Sequence, residues 1–160
     1  MHPRRVQVPA CKELAVPAEL SAPVPVRLHA DEAGGHGRLT THAALRYFER
    51  HRTGFIGGPD ALAGLQAAGI NVVVARLMQG RLHPAASGVW IGDPLVLRCR
   101  VTLRAKGTQV LFEQFLFTEA GELAAGAAVT CLCIDPIAAK MVAAPADLQA
   151  QLMEAMAVGR

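Results

Sequence analysis

The stretch that most constrains this chain is Leu123–Ile134, LAAGAAVTCLCI, which is apolar or small at nearly every position of both alternating sets. A β-strand sends successive side chains to opposite faces, so this strand cannot keep one face in water. It requires cover on both faces, or an edge paired with another chain. Two more strands lead into it. Leu95–Ala105 alternates cleanly: Leu95, Leu97, Cys99, Val101 and Leu103 face one way, and Val96, Arg98, Arg100, Thr102 and Arg104 face the other. Gln109–Thr118 is apolar on both faces except at Glu113 and Gln114. Lys106-Gly107-Thr108 and Glu119-Ala120-Gly121-Glu122 carry the turn residues that join these strands antiparallel.

Upstream, Val24–Ala30 reads as a strand bounded by Pro23 and a Gly-rich stretch, and Pro25 points to an edge or an irregular start. Thr40 or Thr41 caps a helix in which Ala44, Leu45, Phe48, Arg52 and Phe55 fall at helical spacing. Gly54 and Gly57-Gly58 end it, and Pro59-Asp60 opens a short helix stopped by Gly69. Asn71–Met78 is β-branched and strand-like, and Ala146–Ala157 reads as a C-terminal helix. The order is strand, helix, short helix, then three or four antiparallel strands in a meander, an α+β layout in which one helix covers one face of the sheet. Residues 1–22, rich in Pro, Ala and Val, form an N-terminal arm, and 23–160 form a single domain. The doubly apolar last strand points to a dimer.

Composition closes several routes. With 52% hydrophobic residues among 160, the chain can bury a core without disulfides or a structural metal. No apolar run reaches the roughly 20 residues that span a bilayer, and the N-terminus lacks the apolar region of a signal peptide. A net charge of +3, with one Tyr and one Trp, gives no nucleic-acid footprint. Cys11, Cys99, Cys131 and Cys133 show neither a CxxC pair nor zinc spacing, which suits buried thiols in a reducing, cytoplasmic setting.

The segment ADEAGGHGRLTTHAALRYFERHRT resembles the N-terminal signature of hot-dog fold thioesterases, most of all the 4-hydroxybenzoyl-CoA thioesterase-like branch. The acidic loop Asp31-Glu32-Ala33-Gly34-Gly35-His36 precedes a helix bearing Tyr47-Phe48-Glu49 and Arg52. The later order also matches: strand 71–82, Pro84-Ala85, Gly92-Asp93-Pro94-Leu95, an alternating charged strand, and a strand with an acidic turn ending Gly121-Glu122. The chain departs from the family where G-H-V-N-N becomes Gly35-His36-Gly37-Arg38-Leu39 and where two loops are longer. The register of the acid therefore stays open: D-x-x-G puts it on Asp31, and x-x-x-G-H puts it on Glu32.

The resemblance implies an antiparallel sheet wrapped around a central helix, working as a homodimer or dimer of dimers, and hydrolysis of an acyl-CoA thioester. It implies no cofactor, since CoA enters with the substrate. An acyl carrier protein as acyl donor, or an acyl-binding protein without turnover, are the alternatives. A carboxylate at residue 31 or 32 would attack the thioester carbonyl, or activate water, near the unpaired N–H groups of a helix start. Glu49, about two turns into the helix, is a rival acid; its ordinary role would be a pair with Arg52. His36 could orient the carboxylate. Arg81, Arg98, Arg100 and Arg104 are candidates for the CoA phosphates, with a solvated face paired to residues such as Glu113 as the plain reading. Phe48, Phe55, Trp90 and Phe112 are candidate lining for the acyl pocket.

Overall fold

The computed structural model describes residues 14–157; Cys11 and most of the arm lie outside them. After strand β1 (Val24–Arg27) come helices α1 (Thr41–Ile56) and α2 (Pro59–Ala67). Strands β2 (Asn71–Leu82), β3 (Pro94–Arg104), β4 (Gln109–Thr118) and β5 (Leu123–Asp135) follow, then a short β6 (Lys140–Met141) and helix α3 (Ala146–Ala157). The sheet runs β1-β3-β4-β5-β2, with β6 also paired to β5.

Local chemistry sets the ends of α1. The Thr40 hydroxyl accepts from the Ala43 N–H at 3.1 Å, supplying one of the donors a helix start leaves unpaired. At the far end Gly57 takes φ 106, and the Gly58 N–H reaches back to the Thr53 carbonyl at 2.8 Å. That left-handed turn is cheap only for glycine. β1 stops at Arg27 rather than reaching Ala30, because the His29 carbonyl accepts from the N–H groups of Glu32 and Ala33 and the chain turns there.

β3, β4 and β5 form the expected meander, with Arg100 opposite Glu113 and Glu113 opposite Ala128. β2 does not join that meander as a neighbour of β3. It runs to Leu82 through two irregularities and pairs with β5, Val72 opposite Cys133 and Leu82 opposite Ala125. A short 3-10 segment, Pro84–Gly88, follows it toward β3. The reason lies in β5, which is buried from Ala124 to Val129 on both faces. Such a strand is stable inside a sheet, and β4 and β2 fill its two edges.

The sheet folds around α1. Ala43 and Ala44 let the helix close on the strands, and Phe48, 1% exposed, packs in one core with Leu95, Leu97, Phe112 and Leu116. Truncating Phe48 to Ala would cost about 3–5 kcal/mol. The buried face of α1 is turned relative to the expected stripe. Tyr47 and His51 are buried, whereas Leu45, Arg52 and Phe55 are partly exposed. Leu148 and Leu152 anchor α3, which packs against α1 and β3. Leu20 and Ser21 are buried too; the Ser21 N–H donates to the Cys99 carbonyl at 2.7 Å.

Candidate functional site

A cleft of about 960 Å³ opens between β1, α1 and α3, within the range of small-molecule sites. Val24, Val26, Leu97, Phe55 and Ala155 give it apolar walls. Ser21, Arg27, His29 and Gln151 add polar groups, and one face of α1 supplies three more: Tyr47, Arg50 and His51. These three recur at i, i+3 and i+4, the spacing that places side chains on a common helix face.

Tyr47 fixes the acidic loop. Its hydroxyl donates to the Arg27 carbonyl at 3.1 Å and accepts from the His29 N–H at 3.4 Å, tying the end of β1 to the helix. The turn on His29 then carries Glu32 inward. Its Oε1 pairs with Arg50 Nη1 at 2.7 Å; the carboxylate side chain is 2% exposed and the guanidinium 55%. Its Oε2 is buried without a hydrogen-bond partner. Burial works to raise the Glu32 pKa, but the Tyr47 hydroxyl and the Arg50 cation outweigh it and hold the acid below the usual carboxylate range. The same surroundings, burial first and then Glu32, push Tyr47 up to about 12.

The other candidate acids are placed differently. Asp31 is exposed on the loop. Glu49 is exposed on α1 and borders a smaller cavity with Arg50 and Thr53. Arg52 does not turn to Glu49; its Nη1 donates to Gln114 Oε1 at 2.8 Å. His36 is exposed, in a loop whose next residues lean on the Trp90 segment, with the Arg38 guanidinium 4.4 Å over the Trp90 ring. Glu32 meets the second and third turns of α1 through Tyr47 and Arg50, not the free N–H groups of its first turn.

The four candidate arginines do not gather at this cleft, which Arg27 and Arg50 line instead. Leu97 of β3 lines it, so Arg98, Arg100 and Arg104, on the opposite face of the strand, point away from it. Arg98 Nε donates to the Ser21 carbonyl at 2.9 Å. Arg100 Nε meets Glu113 Oε2 at 2.6 Å, the cross-strand partner expected from register. Arg104 is exposed at the end of β3, and Arg81 is exposed on β2.

His51 and Gln114 carry the feature that sequence reading missed. Gln114, fully buried, donates through Nε2 to the Phe48 carbonyl at 2.9 Å and lies 3.3 Å from His51 Nδ1. His51 Nε2 has no partner. Burial, with the nearby Arg52 charge, lowers the His51 pKa to about 4, so the ring is neutral at ordinary pH. Leaving such a buried polar atom unpaired costs about 1–3 kcal/mol. The available signal was Gln114 itself, a polar break on the core side of an otherwise apolar strand.

Cys99, Cys131 and Cys133 are free, buried thiols. Burial pushes all three pKa values up, Cys99 to about 12, so none is a ready nucleophile. Among the described residues no helix is long and apolar enough to cross a membrane, and no cluster of three metal-ligating side chains occurs. Phe48 and Phe112 are core rather than cleft lining, Phe55 lines the cleft, and Trp90 is exposed.

No protein-family model and no curated protein matches the sequence. Solved structures match its shape. A 1,4-dihydroxy-2-naphthoyl-CoA thioesterase from Synechocystis superposes with TM-score 0.73 at 14% identity, covering 84% of this chain and 96% of its own. A hypothetical protein from Staphylococcus aureus in complex with CoA gives 0.71 at 9% identity, covering 92% and 90%. A 12:0-ACP thioesterase from Umbellularia californica gives 0.60 at 11% identity, covering 89% of this chain and 55% of that one. With its antiparallel sheet wrapped around α1 and matched across most of its length, the chain has the hot-dog fold.

Proposed function

We propose that the protein hydrolyses acyl-CoA thioesters, with Glu32 as the working carboxylate and the β1–α1–α3 cleft as the site of the acyl group. The observation that carries this reading is the state of Glu32. It is buried and held ionised by Arg50, and its second oxygen is uncommitted. It also sits beside Tyr47 and Arg50, which line an apolar cleft. Asp31 and Glu49 are exposed and lack that setting. The fold is shared with proteins described as a CoA thioesterase, a CoA complex and an ACP thioesterase, which supports a thioester as the bond attacked.

In the proposed reaction the Glu32 carboxylate turns its idle oxygen out to the cleft and takes a proton from water, and the hydroxide adds to the thioester carbonyl carbon. The tetrahedral intermediate collapses with loss of the C–S bond. The thiolate takes up the proton, leaving a carboxylic acid and free CoA thiol. Arg50, only one of whose N–H groups is engaged by Glu32, supplies positive charge toward the developing oxyanion. No cofactor takes part.

The functional unit is proposed to be a homodimer. β2 ends the sheet with Val74 57% and Leu77 48% exposed, and an apolar edge of this kind invites pairing with a second copy. Sedimentation of wild type beside Val74→Lys/Leu77→Lys should show a dimer reduced to monomer. The chemistry is tested by thiol release from short, long and aromatic acyl-CoA esters, run with Glu32→Gln, Asp31→Asn and Glu49→Gln. Loss confined to Glu32→Gln supports the assignment. Activity surviving that change overturns it, and turnover of acyl carrier protein esters alone would change the carrier.

A further inference from the structure

Gly54 is a helix residue whose missing side chain the fold does not require. It lies in the last turns of α1, before the left-handed positions at Gly57 and Gly58, and its own φ is not positive. A Cβ placed on it would meet no packing neighbour within 4 Å. Its carbonyl accepts the Gly57 N–H at 3.1 Å, a bond open to any residue. Glycine inside a helix is destabilising relative to alanine, so the position carries a cost with no gain in packing. Gly64 of α2 is open in the same way but lines neither the large cleft nor the smaller cavity. Gly54 lines both. The smaller cavity, about 390 Å³, is otherwise bounded by Glu49, Arg50, Thr53, Gly58 and Pro59. Arg50, the other residue common to the two, stands one turn before Gly54 on the same helix face.

We infer that the two cavities form one groove crossing α1 at Gly54, with the acyl body in the β1–α1–α3 cleft and the neutral, amide-bearing arm of the thioester in the smaller cavity. The inference rests on reading the cleft as the acyl site. It adds Gly54 as the residue that admits the arm, because a glycine lets a ligand lie against the helix backbone where a larger side chain would stand in its path. The junction of the two cavities falls at Arg50, which holds Glu32 at 2.7 Å. The bond between acyl group and arm therefore passes beside the carboxylate. The Arg50 charge is met by Glu32, and Thr53 contributes a hydroxyl, so the smaller cavity suits amides and hydroxyls rather than a phosphate.

The test uses thioethers that cannot be hydrolysed, titrated into the full chain by calorimetry. Phenacyl methyl sulfide has no arm, S-phenacyl-pantetheine has the arm without phosphates, and S-phenacyl-CoA has both. Wild type should bind the pantetheine probe about tenfold more tightly than the methyl sulfide. Gly54→Leu should bring that ratio down to about one without lowering the thermal midpoint, since leucine is the better helix former and has open space there. Gly64→Leu makes the same exchange away from both cavities and should keep the ratio. A second reading needs no variant. In ¹⁵N-labelled wild type the pantetheine probe should move the Thr53 and Gly58 amide resonances, and the methyl sulfide should move neither. Equal affinities in wild type, a ratio that survives Gly54→Leu, unmoved Thr53 and Gly58 amides, or failure of all probes to bind would each overturn the inference. With the arm so placed, a further gain for S-phenacyl-CoA marks CoA as its source, and no gain marks a carrier protein. Arm binding in a protein inactive on every thioester would sink the hydrolase reading alone.

Discussion

Two polar regions of this molecule, each rich in charged residues, are wired in opposite ways. On the outer face of β3, Arg98 and Arg100 are committed: one to main-chain carbonyls of the arm, the other to Glu113 across the strand pair. Along the cleft face of α1, Glu32 has one oxygen idle and His51 one nitrogen idle. The partners on β3 are thus closed, a buried Glu113 among them, and the side of α1 that faces the cleft holds open valences. The cost of an unpaired polar group is small in water and large in a core, so the two idle atoms carry a stability cost that the closed pairs of β3 do not.

The largest effect that can break this contrast is on turnover. Glu32→Gln should lower kcat by about 10²–10⁴, the usual size of a general-base contribution, while Arg98→Gln, on the closed face, leaves kcat within twofold; steady-state thiol release checks both. Next comes Gln114→Leu, which strips partners from Arg52 and the Phe48 carbonyl together. Urea unfolding should show a loss of about 3 kcal/mol.

Acid titration sharpens the comparison further. His51 has a folded pKa of about 4 against an ordinary 6.5. Between these values the unfolded chain binds a proton that the folded chain does not, so stability falls as pH drops from 6.5 toward 4, by up to about 3 kcal/mol. It is regained on returning above 6.5. His51→Phe should remove that part of the acid sensitivity, measured as the wild-type-minus-variant difference in unfolding free energy across the interval. The residual slope includes Glu32, whose lowered pKa likewise gives stability that is lost in acid. The smallest effect belongs to an exposed arginine: Arg104→Gln should change stability by about 0.5 kcal/mol or less in the same assay.

Much of the frame was legible in the residues. The Thr40 cap, the Gly57 stop and helix α3 at Ala146–Ala157 follow from local chemistry that needs no partner. Alternation in β3 assigned its inner and outer faces, and Glu113 was read as a cross-strand partner. The placement of β2 was not legible, because it depends on which strand claims the free edge of β5. The turn that halts β1 was hidden as well, since it hinges on a Tyr47 hydroxyl arriving from the helix.

The site divides in the same manner. The acidic loop and the helix facing it were visible, and with them the three candidate acids. Choosing Glu32 required knowing which carboxylate is buried against Arg50. The Gln114–His51 contact joins residues 63 positions apart. By itself the sequence determined which segments are helix and strand and which faces are apolar, because those follow from caps, turn residues and periodicity over a few residues. Only the tertiary structure decided which polar atoms are left unpaired. That depends on desolvation and on partners brought from distant strands, and no local pattern encodes either.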